Sequence, residues 1–114
     1  MHELGVVFYV VKDVKKVAEE NDVEKVTGVT IQVGEVSAIV HEYLIDCWNW
    51  ARKKEPIMEE AEMRIEEIPA ITFCETCRQE YPTVAHGKTC PHCGSEETYL
   101  LQGNEFMIKD IEVI

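Results

Sequence analysis

Residues 73–98 read FCETCRQEYPTVAHGKTCPHCGSEET, and this stretch decides how the rest of the chain is read. It holds two C-x-x-C pairs, Cys74 with Cys77 and Cys90 with Cys93, twelve residues apart. Two cysteine hooks at that distance can close four thiolates around one tetrahedral Zn²⁺ with only a short loop between them. Gly94, just after the second hook, suits a turn that needs positive φ, and Arg78 holds the equivalent place after the first. Two disulfides or a redox C-x-x-C are the competing readings. A disulfide inside a C-x-x-C would close a very small loop. A thioredoxin-type motif follows a strand and opens a helix, whereas Pro82, Gly87, Pro91 and Gly94 give this segment the character of a loop. The expectation is a closed structural zinc site on Cys74, Cys77, Cys90 and Cys93, with no open position for catalysis at the metal.

The chain has 114 residues, enough for one domain or for one domain with a small inserted module. Lys and Arg number 11 against 22 Asp and Glu, so the formal charge is −11 and nucleic acid is a poor partner. Between Thr72 and Gly103 the only cations are Arg78 and Lys88, against Glu75, Glu80, Glu96 and Glu97. A nucleic-acid-binding zinc ribbon, the alternative function, would need a basic face there. The longest apolar run is too short to span a bilayer, and the start lacks the basic residues of a secretory signal. Four paired cysteines and the remaining Cys47 fit a reducing cytoplasm. No Ser/His/Asp set, phosphate loop or open metal site points to an enzyme.

Along the chain, Leu4, Val7, Phe8, Val11, Val14 and Ala18 have helical spacing, with Lys12, Lys15, Lys16 and Glu19 for the wet side and Asn21-Asp22 as the end. Val29, Ile31 and Val33 alternate with Thr30 and Gln32, which predicts a half-buried strand. Ser37 reads as the N-cap of a second helix. Val40, Tyr43, Leu44, Cys47, Trp48 and Ala51 form its apolar face, and Pro56 closes it off. Residues 61–68 predict a second strand with Met63 and Ile65 inward, and residues 104–114 a third carrying Phe106, Ile108, Ile111 and Val113. The expected class is α+β: a small three-stranded sheet with two helices, plus an inserted module whose own core is the metal.

The chain starts Met1-His2-Glu3. Methionine aminopeptidases need a small second residue, so Met1 is expected to stay. Its α-amine, the His2 amide and imidazole nitrogens, and the Glu3 amide could form fused chelate rings around a square-planar cation such as Ni²⁺ or Cu²⁺. The plain alternative is a solvated histidine near a terminus.

With these features in place, the chain resembles the HypA/HybF family of nickel-delivery proteins. The resemblance rests on Met1-His2-Glu3, on VGEVSAIVHEYL (residues 33–44), on AEMRIEEIPA (residues 61–70), on both C-x-x-C pairs, and on GNEFMIKDIEV (residues 103–113). It implies an α/β nickel domain of residues 1–72 and 104–114 and a zinc-ribbon-like domain of residues 73–103. It implies transient Ni²⁺ on Met1, His2 and Glu3 and structural Zn²⁺ on the four cysteines. It also implies a HypB-type GTPase as partner and the large subunit of NiFe-hydrogenase as recipient, with urease a further client in some bacteria. The expected state is monomer or homodimer in the cytoplasm, without a membrane. Arg78 departs from the glycine that many relatives carry there, and His41 stands where the resemblance leads one to expect proline.

Further residues are weighed between a bland and a sharp reading. His86 and His92 are expected as exposed loop histidines; the sharper idea makes one a metal ligand. Cys47 is expected as a buried, inert thiol. Trp48 and Trp50 cannot both face the core, which leaves Trp50 for a partner contact or a helix edge. The acidic run Glu59, Glu60 and Glu62 reads as a solvated turn. A structural adaptor without nickel delivery is the milder alternative to the metallochaperone.

Overall fold

A computed structural model of the chain describes residues 3–114. Helix α1 spans Glu3–Glu20, strand β1 Val26–Gly34, helix α2 His41–Arg52, and strand β2 Glu62–Ile68. Strands β3 (Ile71–Cys74), β4 (Glu80–Pro82) and β5 (Thr98–Gln102), with the single helical turn α3 (Thr83–His86), precede the last strand β6 (Phe106–Val113). The strands form two sheets, ordered β2-β1-β6 and β4-β3-β5. The α+β class, the three-stranded main sheet and its two helices stand as the periodicities predict.

The chain divides into two compact units. One holds the chain up to Gln32, Ile39–Glu66 and Met107–Ile114; the other holds Val33–Ala38 and Glu67–Phe106. In the first, α1 buries Val7, Val10, Val14 and Ala18, and α2 buries Leu44, Trp48 and Ala51. Val26, Val29 and Ile31 of β1 are fully buried with them, as is Met58. The Trp48 indole N–H donates to the Ala61 carbonyl at 2.8 Å, so the largest side chain of this core brings no unpaired donor inside. On the sheet, Lys25 pairs with Glu60, Arg64 with Glu112, and Lys109 Nζ with Glu66 at 2.7 Å. Gln32 Nε2 also donates to Glu66.

The structure corrects several expectations. The buried stripe of α1 is rotated: Val10 is inside, while Leu4 and Phe8 are 41% and 48% exposed. Helix α2 begins at His41, not after Ser37; its N-cap is Val40, without a side-chain cap. Ala38 takes a left-handed φ of 66°, which no helix passing through residue 38 could contain. Val40 and Tyr43 are exposed rather than on the apolar face, and Cys47 is half-buried rather than enclosed. The cysteine-bearing segment, with the residues that flank it, is not a plain loop. Its three strands pair antiparallel, β3 with β4 and β3 with β5, with a bulge beside Ile71 and Thr72. Pro82 is compatible with this because β4 is an edge strand, where a missing N–H is tolerated.

The second unit is held at its base by backbone. The Val36 N–H donates to the Gly103 carbonyl at 2.8 Å and the Glu35 N–H to the Ile68 carbonyl at 2.9 Å. The Glu35 carboxylate accepts from the Ala70 N–H at 2.8 Å. Gly103 has φ 122°, and a Cβ there would stand 2.5 Å from the Ala70 Cα. Only glycine fits both the conformation and the space.

Candidate metal centre

The two cysteine hooks are built alike. After the first, the Arg78 N–H donates to the Cys74 carbonyl at 2.8 Å; after the second, the Gly94 N–H donates to the Cys90 carbonyl at 2.8 Å. The Cys74 N–H donates to Gln79 O and the Cys90 N–H to Ser95 O, both at 2.9 Å. The turn that this closes needs positive φ at its fifth residue, and Arg78 and Gly94 supply 59° and 77°. The expectation for Gly94 is met. Arg78 adopts the same conformation against the preference of its Cβ.

The thiols receive backbone N–H groups in the same repeated pattern. Cys90 Sγ accepts from the His92 amide at 3.4 Å. Cys74 accepts from the amides of Cys77 and Thr76, Cys77 from that of Gln79, and Cys93 from that of Ser95. Each sulfur thus meets an amide two residues further on. Such amides stabilise thiolate charge and aim the lone pairs inward. The Thr76 and Ser95 hydroxyls lie 2.8 Å apart and tie one hook to the other. The tie pairs two positions 19 residues apart, and no local pattern announces it.

All four sulfurs lie within 4.8 Å of one another. Cys74 Sγ is 3.6 Å from Cys93 Sγ, and Cys77 Sγ is 3.6 Å from Cys90 Sγ. A tetrahedral zinc with bonds of about 2.3 Å sets its sulfurs about 3.8 Å apart, so the donor set fits that ion. Disulfide partners would stand about 2.0 Å apart, and all five cysteines are free. The surroundings push three of these thiols in different directions. The Cys77 amide draws the Cys74 thiol down to about 7. Burial, with the Cys90 thiol adding to it, pushes the Cys77 thiol up to about 12. At Cys93 the Ser95 amide pulls down, but burial and the neighbouring Cys74 and Cys90 thiols outweigh it and raise the value. Cys74 is drawn toward the thiolate while Cys77 and Cys93 resist ionisation. A divalent cation at the centre would remove that resistance.

Little else holds this part of the chain. Cys74, Tyr81 and Cys90 are its buried cluster, with Cys77 packed against them. The Tyr81 hydroxyl donates to Gly87 O and the Thr98 hydroxyl to Lys88 O, both at 2.8 Å, which pins the stretch between the hooks. His86 and His92 are exposed, and the metal-competent cluster among the described residues contains neither. Met1 and His2 lie outside the described residues. Glu3 opens α1, half-buried; its carboxylate accepts from the Val40 N–H at 3.4 Å.

Known proteins match this chain from end to end. A family model described as hydrogenase/urease nickel incorporation, metallochaperone, hypA matches residues 1–113. The hydrogenase maturation factor HypA of Chlorobium phaeobacteroides (strain BS1) is 34% identical over 113 residues, covering 99% of each chain. The hydrogenase maturation factor HybF of Klebsiella pneumoniae is 29% identical over 112 residues, covering 98% of each. The solution structure of the Ni metallochaperone HypA from Helicobacter pylori aligns with a TM-score of 0.74 at 23% identity, covering 100% of this chain and 98% of that one. That likeness is one of fold.

Proposed function

Because the chain belongs to the HypA family of hydrogenase/urease nickel-incorporation metallochaperones, we propose that it carries Ni²⁺ as cargo on its first three residues. With a HypB-type GTPase it hands the ion to the large subunit of NiFe-hydrogenase in the cytoplasm. The observation that carries this reading is the extent of the family match. It begins at residue 1, and so includes Met1-His2-Glu3.

The cargo ligands are the Met1 amine, the His2 imidazole and amide nitrogens, and the Glu3 amide nitrogen. A planar nitrogen set suits Ni²⁺, and it must shed protons to bind, so affinity falls as pH falls. Residues 1–72 and 104–114 act as the nickel domain and residues 73–103 as the zinc domain. Cys74, Cys77, Cys90 and Cys93 hold the structural zinc. Zinc supplies the positive charge that lets four crowded thiolates coexist, and it joins the two hooks. The sulfurs are thereby spoken for, which leaves the nitrogen set for the cargo.

His2→Gln, whose side chain is large enough to leave Met1 in place, tests this by calorimetry. The expected result is loss of high-affinity nickel binding with one zinc retained and the far-UV spectrum unchanged. Unchanged nickel affinity in that variant would overturn the proposal.

A further inference from the structure

The small sheet β4-β3-β5 has one face that the fold fills and one that it leaves outside. Thr72, Cys74 and Tyr81 are buried on the first. Side chains alternate along a strand, so Ile71, Phe73 and Glu75 share the second. The register gives them neighbours there, because residues directly opposite share a face. Phe73 stands opposite Glu80 on β4 and Tyr99 on β5, and Ile71 opposite Pro82. The Glu75 N–H donates to the Glu97 carbonyl at 2.9 Å, which carries the same pairing one step past β5. The outer face therefore has two ends. Ile71, Pro82, Phe73 and Tyr99 form an apolar one, with the Phe73 and Tyr99 rings 5.5 Å apart. Glu75, Glu80 and Glu97 form an acidic one, and all three are exposed, as are Pro82 and Tyr99.

The charges name the occupant. Glu75 and Glu97 face each other across the ladder, where like charges destabilise a sheet. No Lys or Arg lies on β3, β4 or β5. None of the three carboxylates has an ion-pair partner among the described residues. Nor do they form a metal-competent group, which among those residues is the four cysteines alone. The missing counter-charge is thus a cationic side chain from outside. Strand β5 is also an edge of its sheet, with a row of unpaired backbone groups along its outer side. We propose that β5 and this face dock an extended, arginine-bearing segment of a partner protein, which adds a strand beside β5. Side chains of the added strand alternate as well. An apolar residue rests against Tyr99, and an arginine two positions away reaches Glu97 and, across the strand, Glu75. A guanidinium suits this place because it pairs with carboxylates in a fork and stacks on aromatic faces. An acidic segment would be repelled, and a wholly apolar one would leave the carboxylates uncovered. The surface uses none of the residues proposed for the cargo, so it stands apart from the nickel reading.

Fluorescence anisotropy on the zinc-loaded full chain tests it with the labelled peptide GTRTFTVG, against GTETFTVG as control. The arginine peptide is expected to bind at least about tenfold more tightly than the glutamate one, with the gap narrowing as salt rises. Glu75→Gln with Glu97→Gln removes that preference, and Tyr99→Ser weakens the arginine peptide by about tenfold or more. Zinc content and the far-UV spectrum stay unchanged in these variants, whose positions are exposed. In amide NMR spectra the shifts on titration with the arginine peptide gather at residues 97–101. Absence of binding, equal binding of the two peptides, binding that ignores the variants, or shifts that gather elsewhere would overturn the proposal. Shifts at β5 that grow with protein concentration alone would hand the face to a second copy of this chain and overturn it as well.

Discussion

Replacing Cys90 by Ala removes one buried donor of the four-sulfur cluster, and the consequence follows from how little else that region buries. The buried cluster there is Cys74, Tyr81 and Cys90, with Cys77 against it. Burial of one aromatic side chain contributes about 3 kcal/mol at most. Ordering the residues between Cys74 and Thr98 costs on the order of 1 kcal/mol each, partly offset by strand pairing and turns. Without the ion the balance is unfavourable. A structural zinc held by such ligands contributes about 10–16 kcal/mol near neutral pH, so it accounts for nearly all the stability of the segment. Losing one thiolate of four removes several kcal/mol of that and leaves an open position that water or buffer will fill. Cys90→Ala is therefore expected to release zinc to a colorimetric chelator that the wild type resists. Amide exchange in Cys74–Thr98 should then become fast. The environment of Trp48, buried in the other unit and bonded to Ala61 O, should not change. The reasoning is refuted if Cys90→Ala keeps one tightly bound zinc, or if its amides stay protected after zinc is gone.

Two further outcomes follow from local geometry. Arg78 holds φ 59° in a turn whose counterpart uses Gly94; Arg78→Gly should relieve about 1 kcal/mol of backbone strain, against a similar entropic cost. The variant should therefore hold zinc at least as well as wild type in chelator competition, and a loss of more than tenfold would contradict equivalence of the two hooks. The Lys109 ammonium, with the Gln32 amide helping, holds the Glu66 carboxyl below its ordinary 4.5. A depressed carboxyl pKa contributes stability that is present above the ordinary value and lost as pH falls through the folded value. The small advantage of wild type over Glu66→Gln in urea unfolding, followed by tryptophan fluorescence, should therefore hold at neutral pH and vanish in acid. An advantage that persists in acid would show that the pair acts through packing instead.

How much of this was legible in the sequence depends on the range of the cause. The hooks were legible because C-x-x-C spacing and a following glycine are covalent, local facts. The main strands and both helices were legible from periodicity. The faces were less so. The period of α1 is compatible with two neighbouring stripes, and only the packing partner decides that Val10 rather than Phe8 is covered. Ser37 had the chemistry of a cap, but the left-handed turn at Ala38 delays the helix to His41, and nothing in SAIV announces that turn. Strands β3, β4 and β5 hide behind Pro82 and Gly87, because strands of three to five residues carry too little alternation to outweigh turn residues. The Thr76–Ser95 bridge and the repeated amide-to-sulfur contacts are products of folding, and local sequence carries no trace of them.

Separate chemistry for the two ions is the central claim, and X-ray absorption on protein loaded with one nickel and one zinc tests it most directly. The nickel edge should report a planar shell of nitrogen and oxygen with no sulfur, and the zinc edge four sulfurs. Sulfur around nickel, or fewer than four sulfurs around zinc in the doubly loaded protein, would contradict it.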